Sequence, residues 1–195
     1  MIHFTSKFTK NKAMRTFNIP KLERVIKHYK LKSKKQLDGL IEFCMGQKTL
    51  KEAIEVAAKS VDENNKVHFH QRRVEKLELN SFSERVISRE EEINSAKTFD
   101  EIYEIINSEK NEYITELTVY DVTQRIAAFK NIYPDKIYLQ SGTRVGAENL
   151  LGRLGDAKFL VREDLPSPFQ RPDFTLADIE EILFQYKDEF EYCVK

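Results

Sequence analysis

The residue types with chemistry to offer are gathered in two stretches. The first is VHFHQRR, Val67 to Arg73, in which His68 and His70 alternate with Val67 and Phe69. On extended backbone the two imidazoles would share a face, the arrangement by which neutral rings ligate a metal. No third ligand stands at a telling distance in the sequence, so no metal is expected, with His68 and His70 kept as the alternative. The plain reading is two polar residues at a helix entry, each with one hydrogen-bonded partner. Arg72 and Arg73 follow directly and make a cationic patch suited to a phosphate or an acidic partner helix.

The second stretch is Thr118 to Gly155, which holds four of the six glycines: Gly142, Gly146, Gly152 and Gly155. Ser141, Gly142 and Thr143 open a helix that ends near Gly152. The first-turn amides of such a helix have no intrahelical partner and accept an anion, and Arg144 adds charge there. The alternative is a plain helix start, with Gly142 permitting a tight entry and Gly146 close packing. No Walker-type lysine follows. Upstream, Thr118 is expected to cap a helix that carries Tyr120, Asp121 and Arg125. Tyr120 and Asp121 are adjacent and point to different helix faces. With His68 and His70 they are the candidates for proton transfer, provided tertiary folding brings the histidines to them.

The elements that must position these residues are helices. Leu22, Val25, Ile26 and Tyr29 repeat at helical spacing behind Pro20, giving a helix over about 20–30. Ser33 is placed to cap a second helix with Leu37, Leu40, Ile41 and Cys44 inward, stopped by Gly46. Thr49 is placed to cap a third, with Glu52 in its first turn. These three read as a small bundle. An amphipathic helix is expected over 81–96, another after Thr98, where Glu101 completes a capping box, and a last one after Thr175. Ile137 to Leu139 allows a very short extended piece near 137–140. The stretch from Lys158 to Asp173 holds three of the five prolines and reads as an ordered surface loop. The fold expected is therefore mainly α, a compact multi-helix bundle, with a basic arm at 1–18 and one helical domain over 19–195.

Composition excludes several classes. No run of about 18 apolar residues exists, so no membrane partner is expected. The N-terminus is basic without the apolar core of a secretory signal, and cytoplasmic residence is the expectation. Cys44 and Cys193 lie outside metal-ligand spacing and read as reduced thiols. The net charge is zero, yet residues 1–35 carry eleven Lys or Arg against one acid, Glu23, which leaves +10 there and −10 in the remainder. A segment so charged attracts phosphate backbones, or it pairs with the chain's own acids such as Glu180, Glu181 and Asp188.

At HFHQRR, and again at ELTVYDVTQRIAAF and IYLQSGTRVGAENL, the chain resembles a group of uncharacterised bacterial proteins over roughly residues 50–190. Over about 110–155 it also resembles the helix-hairpin-helix region of DNA glycosylases. That resemblance implies a hairpin near Ile114 to Thr118 offering backbone amides to a DNA phosphate. The chain departs from the family at the chemistry. The hairpin glycines are missing, an apolar residue near Leu117 replaces the family's lysine, and Leu139 and Gln140 stand where its aspartate belongs. Arg144 and Val145 match an Arg-Val pair of the following helix.

The function expected is accordingly DNA binding without base excision. Its phosphate contacts are Ser141, Gly142, Thr143, Arg144, Arg125, Arg72, Arg73 and Thr118, and no cofactor is expected. An enzyme acting on a small phosphorylated or nucleotide ligand at the 141–146 helix start, and a protein-interaction module or homo-oligomer, are the alternatives. No catalytic residue is assigned.

Overall fold

Capped helices dominate, and most caps stand where threonine precedes an apolar run. Thr49, Thr98 and Thr175 each sit in extended backbone and accept a bond from the amide three residues on. Glu52, Glu101 and Asp178 return the bond, which completes three capping boxes. Such a cap is worth about 1 kcal/mol, enough to fix where a short helix begins.

The computed structural model describes residues 3–4, 15–32 and 39–194. In chain order these form β1 (His3–Phe4), β2 (Arg15–Thr16), α1 (Ile19–Lys32), α2 (Gly39–Met45) and α3 (Leu50–Lys59). Then come α4 (Lys76–Ser88), α5 (Glu90–Ser95), α6 (Phe99–Ser108), α7 (Glu116–Phe129), β3 (Ile137–Tyr138), α8 (Ser141–Leu151), β4 (Phe159–Leu160) and α9 (Leu176–Gln185). The protein is mainly helical, as its periodicity indicates. No helix among the described residues is long and apolar enough to cross a membrane.

Where the sequence reading treats 19–195 as one helical domain, contacts group the chain into two compact units. One joins residues 1–35 to 135–195, and the other is continuous over 36–134. The three-helix bundle expected at the N-terminus is therefore corrected. α1 groups with the C-terminal elements, while α2 and α3 belong to the continuous unit. The proposed cap Ser33 lies outside the described residues.

In the continuous unit α7 is the central rod, packed by α2, α3 and α6. It buries Val119, Val122, Ile126 and Ala127 on one side and Thr118, Asp121, Thr123 and Arg125 on others, because helices cover it almost all round. Its cap is Thr115, whose hydroxyl accepts the Thr118 amide at 3.2 Å. The expectation that Thr118 caps this helix is thus corrected by three residues: Thr118 sits buried in the first turn. The single helix expected over 81–96 is two, broken at Arg89. Three glutamates, Glu90 to Glu92, favour a fresh helix start there through the helix dipole. The Lys130 ammonium closes the other end of α5, donating to the carbonyls of Asn94 at 2.7 Å and Ala96 at 3.0 Å.

The discontinuous unit has its own core, running from Phe17, Leu22 and Ile26 through Leu150 and Phe169 to Ile182 and Phe190. α8 packs against α9 and against a 3-10 segment, Lys187–Cys193, that also receives α1. β3 pairs antiparallel with β4, Ile137 opposite Leu160. The loop expected after Gly155 thus carries a strand as well as two 3-10 turns, Arg162–Asp164 and Ser167–Phe169. Arg162 stitches it by donating to the carbonyls of Phe169, Arg171 and Phe174. A second short pair, β1 with β2, lies inside the stretch read as a basic arm. α1 is held to α9 by the Tyr29 hydroxyl, 3.0 Å from Asp178 Oδ1 and 2.8 Å from Glu181 Oε2. Burial, then these two carboxylates, push the Tyr29 phenol far above its ordinary range. Cys44 and Cys193 are both buried, and neither forms a disulfide.

Candidate functional site

Two places collect functional groups, one in each unit. In the continuous unit the centre forms where α3 ends. Ser60 takes the left-handed conformation that terminates this helix, with φ of 53°. Asp62 then turns the DENNK loop, its carboxylate accepting the amides of Asn64 and Lys66 at 2.9 Å each. The returning chain is pinned when the His68 amide donates to the Ser60 carbonyl at 2.8 Å. Phe69–Gln71 follows as one 3-10 turn, so the two histidines are not on extended backbone and stand just before the helix that begins at Lys76. The tight turn still brings the rings together, perpendicular and 5.0 Å apart between centroids.

Against this turn α7 presents Asp121 and Arg125, one helical turn apart. Asp121 Oδ2 lies 2.9 Å from His70 Nδ1 and accepts from Gln71 Nε2 at 2.8 Å. Arg125 is 1% exposed, and its guanidinium donates to Ser60 Oγ at 2.9 Å, the Ala57 carbonyl at 3.3 Å and Gln71 Oε1 at 3.4 Å. It also lies 3.9 Å from Asp121 Oδ2. Gln71 touches His68 as well, with Oε1 3.3 Å from Nδ1. His68, His70 and Asp121 each offer one ligand atom, and these atoms lie within 4.8 Å of one another. The third group able to join the two histidines, which the sequence does not reveal, is thus Asp121, supplied from 51 residues downstream of His70.

Burial alone would raise the Asp121 carboxyl. The His70 hydrogen bond, the Arg125 charge and the Gln71 amide outweigh it and hold the group below the usual carboxylate range. A depressed folded-state value means that the stabilisation is present above the ordinary value of about 3.9 and is lost as pH falls through the lower folded one. Urea unfolding between about pH 3 and pH 6 should therefore show stability declining on the acid side. The Asp121→Asn variant should lose part of that slope, and an unchanged slope would remove Asp121 from the acid transition.

The remaining phosphate contacts expected from sequence fall as follows. Arg125 and Thr118 are buried, with their polar atoms turned to protein, so neither reaches a phosphate outside; this corrects both. Arg72 and Arg73 are exposed on the continuous unit. Ser141 to Arg144 open α8 in the other unit. There Gly142 and Thr143 are buried, and a Cβ at Gly142 would meet the Phe184 ring. Arg144 donates to the carbonyls of Gly155 and Ala157 and pairs with Glu148 at 3.6 Å. Its charge is thereby committed to holding the α8–β4 connection. Tyr120 is buried and packs its ring near Phe99.

A basic cleft that none of those residues lines opens beside α1. It has a volume of about 350 Å³, and its walls are Glu23, Arg24, Ile26, Lys27, Lys30 and Arg171. Lys30 pairs with Asp173, and Arg171 pairs with Glu23 at 3.2 Å. Arg24 and Lys27, one turn apart on the exposed face, have no ion-pair partner among the described residues. α1 carries its charges as a stripe because Leu22, Val25, Ile26 and Tyr29 claim the buried side. Compared with family models, curated proteins and solved structures, the chain matches none of them.

Proposed function

We propose that the protein binds nucleic acid through phosphate contacts on the basic side of α1, with no base excision. The observation that supports this reading is the cleft itself, where four cationic side chains face one acidic wall residue, Glu23. Long-range attraction to a phosphate chain needs such a stripe and no particular sequence, so the binding expected has weak base preference. The contact set differs from the one drawn from sequence, since Arg24, Lys27, Lys30 and Arg171 replace Arg125 and Thr118. The glycine-free connection between α6 and α7, residues 109–115, is the place where the glycosylase likeness would put a hairpin; it has no glycine for close phosphate approach.

Fluorescence anisotropy with labelled duplex and single-stranded 20-mers tests this. Arg24 and Lys27, the two cations of the cleft with no ion-pair partner among the described residues, give a slope of about −1.8 in log K against log salt, so affinity should fall about 10-fold between 50 and 200 mM salt. The Arg24→Glu, Lys27→Glu double variant alters two exposed side chains and should lose binding while keeping its helical circular dichroism. Failure to bind either strand form at 50 mM salt, or full binding by the double variant, overturns the reading.

A further inference from the structure

We infer that His68, His70 and Asp121 form a site for one divalent transition-metal ion, with Zn²⁺ the best match. This site is in the continuous unit and is independent of the nucleic-acid reading. The two nitrogens and one carboxylate oxygen are the donor set of sites that keep a further position for water or substrate. A tetrahedral ion with ligands at about 2.0–2.2 Å holds them roughly 3.3–3.5 Å apart, so atoms now within 4.8 Å of one another close by about 1.5 Å at most. Both histidines are on a single short turn, where rotation about χ1 and χ2 supplies that movement. Neither His68 nor His70 is fully buried, which leaves an entry path from solvent.

The surroundings are those of a supported ligand set. Gln71 contacts His68 and Asp121 together, fixing both from behind. Arg125 holds Gln71 and Ser60 in turn and is itself anchored on the end of α3. Partners of this kind orient first ligands, and their loss typically weakens metal binding 10- to 100-fold. Arg125 also opposes the ion, because its charge lies 3.9 Å from the shared carboxylate oxygen. Two imidazoles and one carboxylate thus converge within a few ångströms, the number and type of donors one ion takes from a protein in such a site.

Isothermal titration calorimetry of the full chain, free of any histidine tag, with ZnCl₂ tests the inference. One ion per chain is expected, and Co²⁺ in its place should give visible absorption of a tetrahedral N/O site. His68→Ala should weaken binding at least 10-fold, with a smaller effect on thermal stability than Asp121→Asn, since this ring is partly exposed. Asp121→Asn should weaken it as well, and if that variant unfolds, His70→Gln serves in its place. The chain's other histidines, His3 and His28, give the control. Zn²⁺ binding that survives His68→Ala with His70→Gln but is lost on replacing His3 or His28 overturns the site, as does absence of any binding by Zn²⁺ and Co²⁺.

Discussion

Replacing Arg125 by leucine is expected to destabilise the continuous unit by about 3–5 kcal/mol, a large share of the roughly 5–15 kcal/mol that holds a domain folded. The magnitude follows from what is left behind. Ser60 Oγ, Gln71 Oε1 and the Ala57 carbonyl each lose a donor in a site where water does not replace it. The Asp121 carboxylate simultaneously loses a nearby positive charge while remaining about nine-tenths buried. Arg125→Lys keeps the charge and loses the fork, so it should fall between wild type and Arg125→Leu. Denaturant unfolding monitored by hydrogen exchange at α7 amides measures both. A loss below about 1 kcal/mol for Arg125→Leu would mean that the network carries little of the stability assigned to it.

The second large effect is expected at Gly146, where alanine would ordinarily help a helix by about 1 kcal/mol. Here an added Cβ falls on the backbone carbonyl of Leu183 in α9 and comes within 3.2 Å of Lys187 Cβ. A backbone atom cannot swing aside, so α8 and α9 must separate and disturb Leu150, Leu151, Ile182 and Leu183 between them. Overpacking of this kind costs about 3 kcal/mol or more, which exceeds the propensity gain. Gly142→Ala is the internal comparison. Its Cβ meets only the ring of Phe184, a side chain 42% exposed that can rotate away, so the cost should be about 1 kcal/mol or less. Equal losses for the two variants would mean that backbone proximity is not what requires Gly146.

Local rules read correctly wherever the deciding partners are within a few residues. Thr49 with Glu52, Thr98 with Glu101 and Thr175 with Asp178 all behave as their spacing indicates, and Gly46 follows the end of α2. Thr118 failed as a cap because Thr115 offers the same hydroxyl one turn earlier, and the choice rests on the burial of Ile114 and Val119, which spacing alone does not weigh. The candidate site was half legible. His68 and His70 are named by their types, and Asp121 and Arg125 by their place on an amphipathic helix that carries charge. Their meeting was not legible, since it depends on the left-handed residue Ser60 and on a turn 50 residues away from α7. Arg125 in particular looks like any surface arginine until three helices are packed around it. The basic side of α1 was legible as charge, but its cleft needs Arg171, brought within reach of Glu23 from 148 residues downstream.

The discontinuous unit has a further consequence for how the chain acquires its structure during synthesis. Residues 36–134 emerge as an uninterrupted block and can complete their packing from neighbours already made. α1 emerges before them yet has to wait, because the Tyr29 hydroxyl bonds to Asp178, 149 positions later, and Lys21 donates to the Tyr192 carbonyl, 171 positions later. Until then its apolar stripe of Leu22, Val25, Ile26 and Tyr29 is without its final cover. Closing so long a loop carries a modest entropic cost, which grows only with the logarithm of its length, so the delay is imposed by the order of translation more than by thermodynamics. The many lysines and arginines on the other face of α1 keep this waiting helix in solution, a task served by the same charges that line the cleft once the unit has closed.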